Sequence, residues 1–203
     1  MPILILGTRN EKKRRELDAL LAPHGLSVRS LADFPEAVEV TEDGATFAEN
    51  ARKKAVEQAR ALGQWVLAED SGISVDALGG APGVYSARFA GNDATDEANN
   101  ALLLTRLGDT PPERRGAHYT CHVSLADPKG NIVAHAEETC RGRIATEPRG
   151  TAGFGYDPLF LVPEYHRTFG ELGETAKSLL SHRARAMRRV APEVVRAILG
   201  EKS

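Results

Sequence analysis

Residues 2–25, PILILGTRNEKKRRELDALLAPHG, decide the fold class. The apolar run over residues 2–6 stops at Gly7, which is typical of a short buried strand. The leucines at positions 17, 20 and 21 then fall on one face of a helix, and Gly25 ends it. The chain therefore opens with a strand, a turn and a helix, the unit from which α/β folds are built.

The rest of the chain continues this alternation. Thr46, with Glu49 three residues later, is predicted to begin a helix that Gly63 ends. The other predicted elements are a weak strand at 26–31, an acidic loop at 33–45, a strand at 64–70, an ordered loop at 77–91, a helix at 95–108, a β-hairpin at 116–144, a turn and strand at 154–163 and a closing helix at 175–200. We therefore predict an α/β fold with a mixed sheet. It forms a single domain over residues 1–203, with two lobes around a cleft and no independent linker.

Composition excludes several classes of function. The chain has 203 residues, with 26 Lys and Arg against 28 Asp and Glu, so it has no general electrostatic reason to bind nucleic acid or an anionic membrane. Cys121 and Cys140 lack the spacing of a disulfide scaffold or a zinc site, and reduced thiols are typical of the cytosol. The N-terminal apolar run is too short for a signal peptide, and no stretch reaches membrane-spanning length. We expect a cytoplasmic protein.

The turn GTRNEKK, residues 7–13, is a candidate phosphate site. Backbone N–H groups at a helix N-terminus attract anions, and Lys13 adds a positive charge one turn further on. Thr8 and Asn10 supply short polar side chains. The turn is not the GxxxxGK[ST] loop, which disfavours an ATPase of that class. The alternative is that Asn10 is only a helix cap and Lys13 only a solvated helix residue.

The stretch VLAEDSG, residues 66–72, ends an apolar run on two carboxylates, Glu69 and Asp70. Ionised side chains are costly to bury unless they are paired or bind a metal. At the end of a strand they suit Mg²⁺, which one or two carboxylates and substrate phosphates hold, and one carboxylate can take a proton from water. Glu42, in the preceding acidic loop, is a further candidate ligand. The alternative is a strand that has reached solvent, followed by a turn at residues 70–72.

The stretch GTAGFGYDPLF, residues 150–160, is a candidate site for a flat ligand. Small residues around Phe154 and Tyr156 let the backbone approach such a ligand, and an aromatic ring can stack on a base. Asp157 precedes a proline and is therefore expected in an extended or turn conformation. The alternative is a glycine-rich turn with Phe154 in the core.

The stretch KSLLSHR, residues 177–183, ends in His182 and Arg183. These side chains donate directed hydrogen bonds to carbonyl or phosphate oxygens. Lys177 is expected on the same helix or in the loop that leads into it. No nucleophile, base and acid occur in the order that a serine or cysteine hydrolase needs.

Together these stretches resemble the inosine triphosphate pyrophosphatase family over almost the whole chain. The matching segments are TRNEKK (8–13), EDGATFAENARKKA (42–55), EDSGISVDALGGAPGVYSARFAG (69–91), FGYDPLF (154–160) and KSLLSHR (177–183). The stretch from 69 to 91 is the most specific of them. Two positions depart from the family pattern, since Arg9 stands where glycine is frequent and Glu69 where aspartate is common.

The resemblance implies a Mg²⁺-dependent hydrolase. It would cleave deaminated purine nucleoside triphosphates (ITP, dITP and XTP) to the monophosphate and pyrophosphate, and so clear them from the nucleotide pool. It also implies a homodimer, and two lobes around a long mixed β-sheet with flanking helices and the active site in the cleft between them. The implied roles are Glu42 and Asp70 on the metal, Asp70 as general base with Glu69 supporting it, and substrate contacts from Thr8, Asn10, Lys13, Ser71, Phe154, Gly155, Tyr156, Asp157, Lys177, His182 and Arg183.

Two other functions compete with this interpretation. A pyrophosphatase for dUTP or modified pyrimidines would give the same products from a different base. A nucleotide-binding regulator would need the phosphate site but no carboxylate to activate water, so Glu69 and Asp70 argue against it.

Overall fold

The computed structural model describes residues 2–200 as seven strands and five helices. The strands are β1 (Ile3–Leu6), β2 (Ser27–Ser30), β3 (Trp65–Val75), β4 (Gly116–Ala126), β5 (Ile132–Ile144), β6 (Phe160–Val162) and β7 (Arg167–Thr168). The helices are α1 (Glu11–Leu21), α2 (Phe47–Leu62), α3 (Asp96–Leu107), α4 (Phe169–Leu180) and α5 (His182–Leu199), with short 3-10 turns between elements.

The strands form one mixed sheet in the order β2-β1-β3-β4-β5-β6-β7. β1 pairs in parallel with β2 and β3, whereas β6 is antiparallel to both β5 and β7. β4 and β5 are joined by a turn at residues 127–131, where the Asp127 side chain accepts hydrogen bonds from the Lys129 and Asn131 N–H groups. The predicted α/β class, the mixed sheet and the hairpin are confirmed.

The chain divides into two units. Unit 1 comprises the residues up to Asp70, Cys121–Glu137 and the residues from Ala186 onward, and unit 2 comprises Ser71–Thr120 and Glu138–Arg185. The chain passes between the units within β3, β4, β5 and α5.

Unit 1 has apolar clusters against both faces of its strands, because successive strand side chains point to opposite faces. Leu4, Leu6 and Leu67 pack in one cluster with residues of α1 and α5. Ile5, Val66 and Ala68 belong to a second cluster with Ala55 and Ala59 of α2. The small alanines let α2 lie close to the strands.

The core of unit 2 is built around aromatic rings. Tyr119 of β4, Phe160 of β6 and Phe169 of α4 form a group, with ring centroids 4.6 Å apart for Tyr119 and Phe160 and 5.3 Å for Phe160 and Phe169. Leu103 and Leu107 of α3 belong to the same cluster. Such ring pairs add attraction beyond the apolar area they bury.

β3 continues past the point where we predicted its end. The strand was expected to stop at Asp70, yet it runs for 11 residues to Val75, so both the predicted end and the alternative turn at 70–72 are wrong. The two carboxylates do not interrupt it because side chains of unit 1 pair with each of them. Paired charges can be accommodated within a sheet where unpaired ones cannot.

The closing helix is also interrupted, contrary to the prediction of one helix over 175–200. α4 ends at Leu180, Ser181 is extended, and α5 begins at His182. The Ser181 side chain accepts a hydrogen bond from the Ala184 N–H, which caps α5. Lys177 therefore lies on a different helix from His182 and Arg183.

α1 ends at Leu21, before a 3-10 turn over Ala22–His24 that Gly25 closes, whereas both predicted ends of α2 are confirmed. Thr46 caps α2 by accepting from the Glu49 N–H, and Gly63 ends it in the left-handed region with φ 60°. The Glu49 carboxylate accepts the Ala45 N–H, one residue before the cap that we expected it to bind. Cys121 and Cys140 are buried, and both carry reduced thiols. Within residues 2–200, no helix combines the length and the apolar character needed to span a membrane.

Candidate functional site

The turn between β1 and α1 is held by its own hydrogen bonds. The Gly7 N–H donates to the Leu67 carbonyl at 2.8 Å, and a Cβ at position 7 would lie 2.8 Å from the Ala68 Cβ. Asn10 caps α1, since its Oδ1 accepts the Lys13 N–H, while its own N–H donates to the Thr8 hydroxyl. Several N–H groups that we expected to be free for phosphate are therefore occupied, and the capping role of Asn10 is confirmed.

Lys13 is directed toward β3 rather than into solvent. Its ammonium lies 2.6 Å from Glu69 Oε1, and only 6% of Glu69 is exposed. The Cys121 thiol of β4 donates to Glu69 Oε2 at 3.2 Å. Buried carboxylates require such partners. Lys13 is thus held at the end of a buried chain of polar groups, and the alternative of a solvated lysine is wrong.

Asp70 lies among polar side chains from α2 and the acidic loop. Asn50 Nδ2 donates to Asp70 Oδ2 at 3.0 Å, and Lys54 Nζ lies 3.4 Å from Asp70 Oδ1 and 2.9 Å from Glu42 Oε2. Asn50 and Lys54 are four residues apart, so they share one face of α2. One ammonium therefore bridges the two carboxylates that the sequence suggested as metal ligands.

The pKa of the Asp70 carboxyl is raised above its ordinary value. Burial is the main cause, because it penalises the charged form, and the nearby Glu42 carboxylate adds to it. Lys54 and Asn50 oppose the shift by stabilising the carboxylate. A carboxylate with a raised pKa is a stronger base, which suits a group that accepts a proton from water.

Glu69 and Asp70 have different partners because they are consecutive in a strand. Leu67 and Ala68 already belong to different apolar clusters, one with α1 and one with α2. By the same alternation, Glu69 contacts Lys13 of α1 whereas Asp70 contacts α2. The adjacent carboxylates therefore form two separate polar groups.

The donors around Asp70 fit a hard cation. Glu42 and Asp70 offer oxygen atoms, which Mg²⁺ prefers, and the Lys54 ammonium shows that positive charge is accommodated between them. Over residues 2–200 there is no group of three or more His, Cys, Asp or Glu side chains placed to hold a metal. A Mg²⁺ ion at Glu42 and Asp70 would therefore complete its shell with phosphate oxygens and water.

Unit 2 contains a pocket of about 150 Å³, which we name the Phe154 pocket. A cavity of roughly this size holds a single aromatic ring such as benzene, so the pocket can admit a flat aromatic group. The residues that line it are Ser71, Gly72, Ser86, Ala87, Asp96, Tyr119, Phe154, Gly155, Tyr156, Lys177, His182 and Arg183.

The Phe154 ring is presented at the surface, not buried in the core. It is 49% exposed, which makes the alternative of a core phenylalanine wrong. Lys177 Nζ lies 3.9 Å from the ring centroid and the Arg183 guanidinium carbon lies 5.6 Å from it. Cations at these distances are attracted by the π-electrons of the ring. The pocket thus combines an aromatic surface with two positive charges.

Asp157 supports the pocket from behind. Its side chain is fully buried, and its Oδ2 accepts hydrogen bonds from the Phe154 N–H at 2.9 Å and from the Lys177 ammonium. Asp157 is not among the lining residues, so it orients Phe154 and Lys177 instead of facing the cavity. A Cβ at Gly153 would overlap its carboxylate, which explains the glycine at that position.

His182 and Arg183 lie in the first turn of α5. The His182 ring stacks on Tyr119 with centroids 4.7 Å apart, and Arg183 donates to the Ser71 hydroxyl at 3.4 Å. The interruption at Ser181 puts both residues at the start of a helix, where the positive end of the helix dipole favours bound oxygen atoms. Lys177, Ser71, His182 and Arg183 therefore all line the Phe154 pocket.

Known proteins similar to this chain identify its family. The model of the Ham1 family matches residues 4–193. The chain belongs to the Ham1 family. The dITP/XTP pyrophosphatase of Rhodopirellula baltica is 56% identical to it over 195 residues, which cover 96% of this chain and 94% of that protein. The family resemblance inferred from the motifs is confirmed.

Solved structures of Ham1 proteins share the fold. A HAM1 protein from Coxiella burnetii is 35% identical, with a TM-score of 0.89 over 96% of this chain and 98% of that one. A nucleoside-triphosphatase, dITP/XTP pyrophosphatase, from Mycobacterium abscessus is 42% identical, with a TM-score of 0.79 over 95% of this chain and 99% of that one.

Sequence reasoning missed several supporting residues of this Ham1 chain. Asn50 and Lys54 were quoted only within a matching segment, although their spacing on a helix that packs through alanines indicated a polar group facing the strands. Cys121 gave no signal, because a lone cysteine in a strand resembles any core residue. The roles of Asp96, Asn100 and Tyr119 depend on contacts far apart in sequence, which no local pattern reveals.

Proposed function

We propose that the protein hydrolyses deaminated purine nucleoside triphosphates, namely ITP, dITP and XTP, to the nucleoside monophosphate and pyrophosphate. The reaction removes deaminated purines from the nucleotide pool. The observation that carries the proposal is the 56% identity, over nearly the full length of both chains, with a dITP/XTP pyrophosphatase. The polar groups of unit 1 and the Phe154 pocket supply the chemistry that such a reaction requires.

The phosphates and the metal are assigned to unit 1. Lys13, held by Glu69, supplies positive charge at the start of α1, and Thr8 and Asn10 provide polar contacts in the same turn. Glu42 and Asp70 would hold Mg²⁺. When bound, Mg²⁺ neutralises charge on the phosphate oxygens and polarises the bond to be broken.

Asp70 acts as the general base. It accepts a proton from water as the water oxygen attacks the α–β phosphoanhydride, and the bond between the two phosphates breaks. The products are the monophosphate and pyrophosphate. Asn50 orients the carboxylate through its hydrogen bond.

The base is assigned to the Phe154 pocket. Phe154 stacks on the purine, with Gly155 and Tyr156 beside it and Asp157 supporting it, while Lys177, His182 and Arg183 donate to its oxygen atoms. Hypoxanthine and xanthine carry a 6-oxo acceptor, whereas adenine has a 6-amino donor. When dATP binds, its 6-amino group faces the hydrogen-bond donors of the pocket and leaves them unpaired. Each unpaired donor costs on the order of 1–3 kcal/mol, so dATP is rejected.

The remaining proposals concern the state of the protein in the cell. The resemblance favours a homodimer, and the reduced cysteines favour the cytoplasm. Sedimentation of the purified protein at several concentrations tests the dimer.

Product analysis with dITP, dGTP and dATP, each with Mg²⁺ and with EDTA, tests the function. We expect dIMP and pyrophosphate from dITP only when Mg²⁺ is present, and little product from dATP. Little product is also expected from dGTP, which shares the 6-oxo group and has to be rejected at its 2-amino group. Orthophosphate as the first product, or equal rates on all three nucleotides, would overturn the proposal. Faster turnover of dUTP would identify a pyrimidine enzyme, and tight binding without turnover would identify a regulator.

A further inference from the structure

The backbone of Gly155 is held on both sides by one helix. The Gly155 N–H donates to Asp96 Oδ2 at 2.6 Å, and the Gly155 carbonyl accepts from Asn100 Nδ2 at 3.0 Å. Asp96 is the first residue of α3 and Asn100 lies one turn later, so both point from the same face. Two side chains of α3 therefore fix the two peptide groups of a single loop residue.

The buried amide of Asn100 is energetically unfavourable in one respect. Asn100 is only 8% exposed, and among residues 2–200 nothing donates to its buried Oδ1. An unpaired buried polar atom is unfavourable, and a leucine of similar size would avoid it. The bond to the Gly155 carbonyl is the interaction that the amide provides and leucine could not.

The loop held in this way carries Phe154. Gly155 has a φ of 62°, in the region that favours glycine, and the Phe154 N–H is bound by Asp157. The Phe154 ring is nevertheless about half exposed, so packing covers only part of its surface. The orientation of the ring therefore depends on the backbone on either side of Phe154. Asp96 and Asn100 hold the backbone on the Gly155 side.

We infer that Asp96 and Asn100 are positioning residues for base recognition. They fix the peptide groups next to Phe154, so that its ring is already oriented when the purine arrives. This inference rests on the proposed function, because it takes Phe154 to be the surface on which the base stacks. Preorganising a contact in this way strengthens binding by reducing the ordering that binding would otherwise require.

The test compares Asp96→Ala and Asn100→Ala with Glu97→Ala by titration calorimetry. Glu97 is a matched control, since it is an exposed acidic residue in the same turn of α3 and does not line the Phe154 pocket. The ligands are dIMP and, separately, pyrophosphate with Mg²⁺. We expect Asp96→Ala and Asn100→Ala to weaken dIMP binding about tenfold, as the loss of one hydrogen bond would. Pyrophosphate binding, and all binding by Glu97→Ala, should be unchanged.

The same substitutions in a Phe154→Ala background separate positioning from a general loss of stability. If Asp96 and Asn100 act through Phe154, removing either one costs little dIMP affinity once the ring is gone. Asp96 is exposed, so Asp96→Ala keeps the test valid even if Asn100→Ala does not fold.

Three results would overturn the inference. They are unchanged dIMP affinity in Asp96→Ala, an equal loss of pyrophosphate affinity, or additive effects with Phe154→Ala. Failure of the wild-type protein to bind dIMP would instead contradict the proposed function, so the two failures are distinguishable.

Discussion

Asp70 and Asp43 each contact a lysine of α2, yet their pKa values shift in opposite directions. Asp43 is exposed, and its hydrogen bond from Lys53 lowers the pKa of its carboxyl. Asp70 is largely buried, and desolvation raises its pKa despite the nearby Lys54. Burial can therefore outweigh the stabilisation that a neighbouring lysine gives to a carboxylate.

Replacing Asp70 should therefore make the metal-free protein more stable and less active. In the folded protein the pKa of Asp70 lies above its unfolded value, so ionising it opposes folding as the pH rises through the interval between the two values. Without metal, at pH 8, we expect Asp70→Asn to melt about 2–4 °C above the wild type. With Mg²⁺ and dITP, its turnover should fall by at least about 100-fold.

Melting curves in EDTA at several pH values check this prediction. The advantage of Asp70→Asn should shrink as the pH falls through the interval between the folded and the unfolded pKa of Asp70, because the wild-type carboxyl then becomes protonated as well. Asp43→Asn is the control, and it should gain no stability at pH 8 because the pKa of Asp43 is lowered. A lower melting temperature for Asp70→Asn at pH 8 would show that its hydrogen bond from Asn50 outweighs its desolvation.

Lys13 and Glu69 illustrate the cost of leaving a buried charge unpaired. The Glu69 side chain is 4% exposed and that of Lys13 is 24% exposed. Lys13→Met removes the ammonium next to a buried carboxylate, which we expect to lower the free energy of unfolding by about 3 kcal/mol. Adding Glu69→Gln should recover part of that loss.

Urea denaturation measures both variants, with Arg15→Met as the control. Arg15 is on the same helix, but it is exposed and lies 4.0 Å from Glu11, so its removal should cost about 1 kcal/mol or less. Equal losses for Lys13→Met and Arg15→Met would mean that Glu69 does not depend on Lys13.

At the level of elements, Ser181 determines where His182 and Arg183 lie. Its extended backbone ends α4, and its hydroxyl accepts the Ala184 N–H at 3.2 Å. Ser181→Ala should therefore cost about 1 kcal/mol of stability and also raise the KM for dITP, because the first turn of α5 lines the Phe154 pocket.

Thermal melting and steady-state kinetics test this prediction against Ser178→Ala. Ser178 is exposed near the end of α4, and its hydroxyl donates to the Thr175 carbonyl. We expect that variant to be near neutral. A normal KM in Ser181→Ala, despite lower stability, would mean that the cap does not position His182 and Arg183.

Elements with strong local signals could be predicted from the sequence. α2 has a cap, a first-turn acid and a terminal glycine, and the structure places its ends where those residues predict them. The end of β3 could not be predicted, because the paired state of Glu69 and Asp70 depends on side chains up to about 50 residues away. Ser181 was missed for a different reason, since a serine is equally compatible with a helix interior and with a cap.

The candidate site also contains residues with a local sequence signal and residues without one. Residues that would touch the ligand form short segments such as FGYD and SHR, and several of them line the Phe154 pocket as expected. Residues that hold them, including Lys54 and Asn100, are dispersed along helices whose sequence is otherwise ordinary. Contact geometry alone identifies these supporting residues.

At the scale of the whole molecule, the two units cannot be separated along the chain. β3, β4, β5 and α5 each begin in one unit and end in the other. If one part of such a strand loses its backbone hydrogen bonds in one unit, the part of the same strand in the other unit is destabilised as well. We therefore propose that the chain unfolds as the single domain suggested by its sequence, although each unit has its own apolar cluster.

The natural chromophores allow this proposal to be tested without labels. The single tryptophan, Trp65, lies in unit 1, whereas the four tyrosines, at positions 85, 119, 156 and 165, all lie in unit 2. In urea, tryptophan fluorescence reports on unit 1 and tyrosine absorbance on unit 2. We expect the two transitions to have the same midpoint and slope, as two-state unfolding requires.

Trp65→Phe is the control for the tyrosine measurement, because it removes the overlapping indole absorbance from the spectrum. Two separate midpoints would show that the strands shared by the units do not couple them, and the chain would then be two domains. The order of those midpoints would also identify which group of site residues loses its support first, those around Asp70 in unit 1 or those around Phe154 in unit 2.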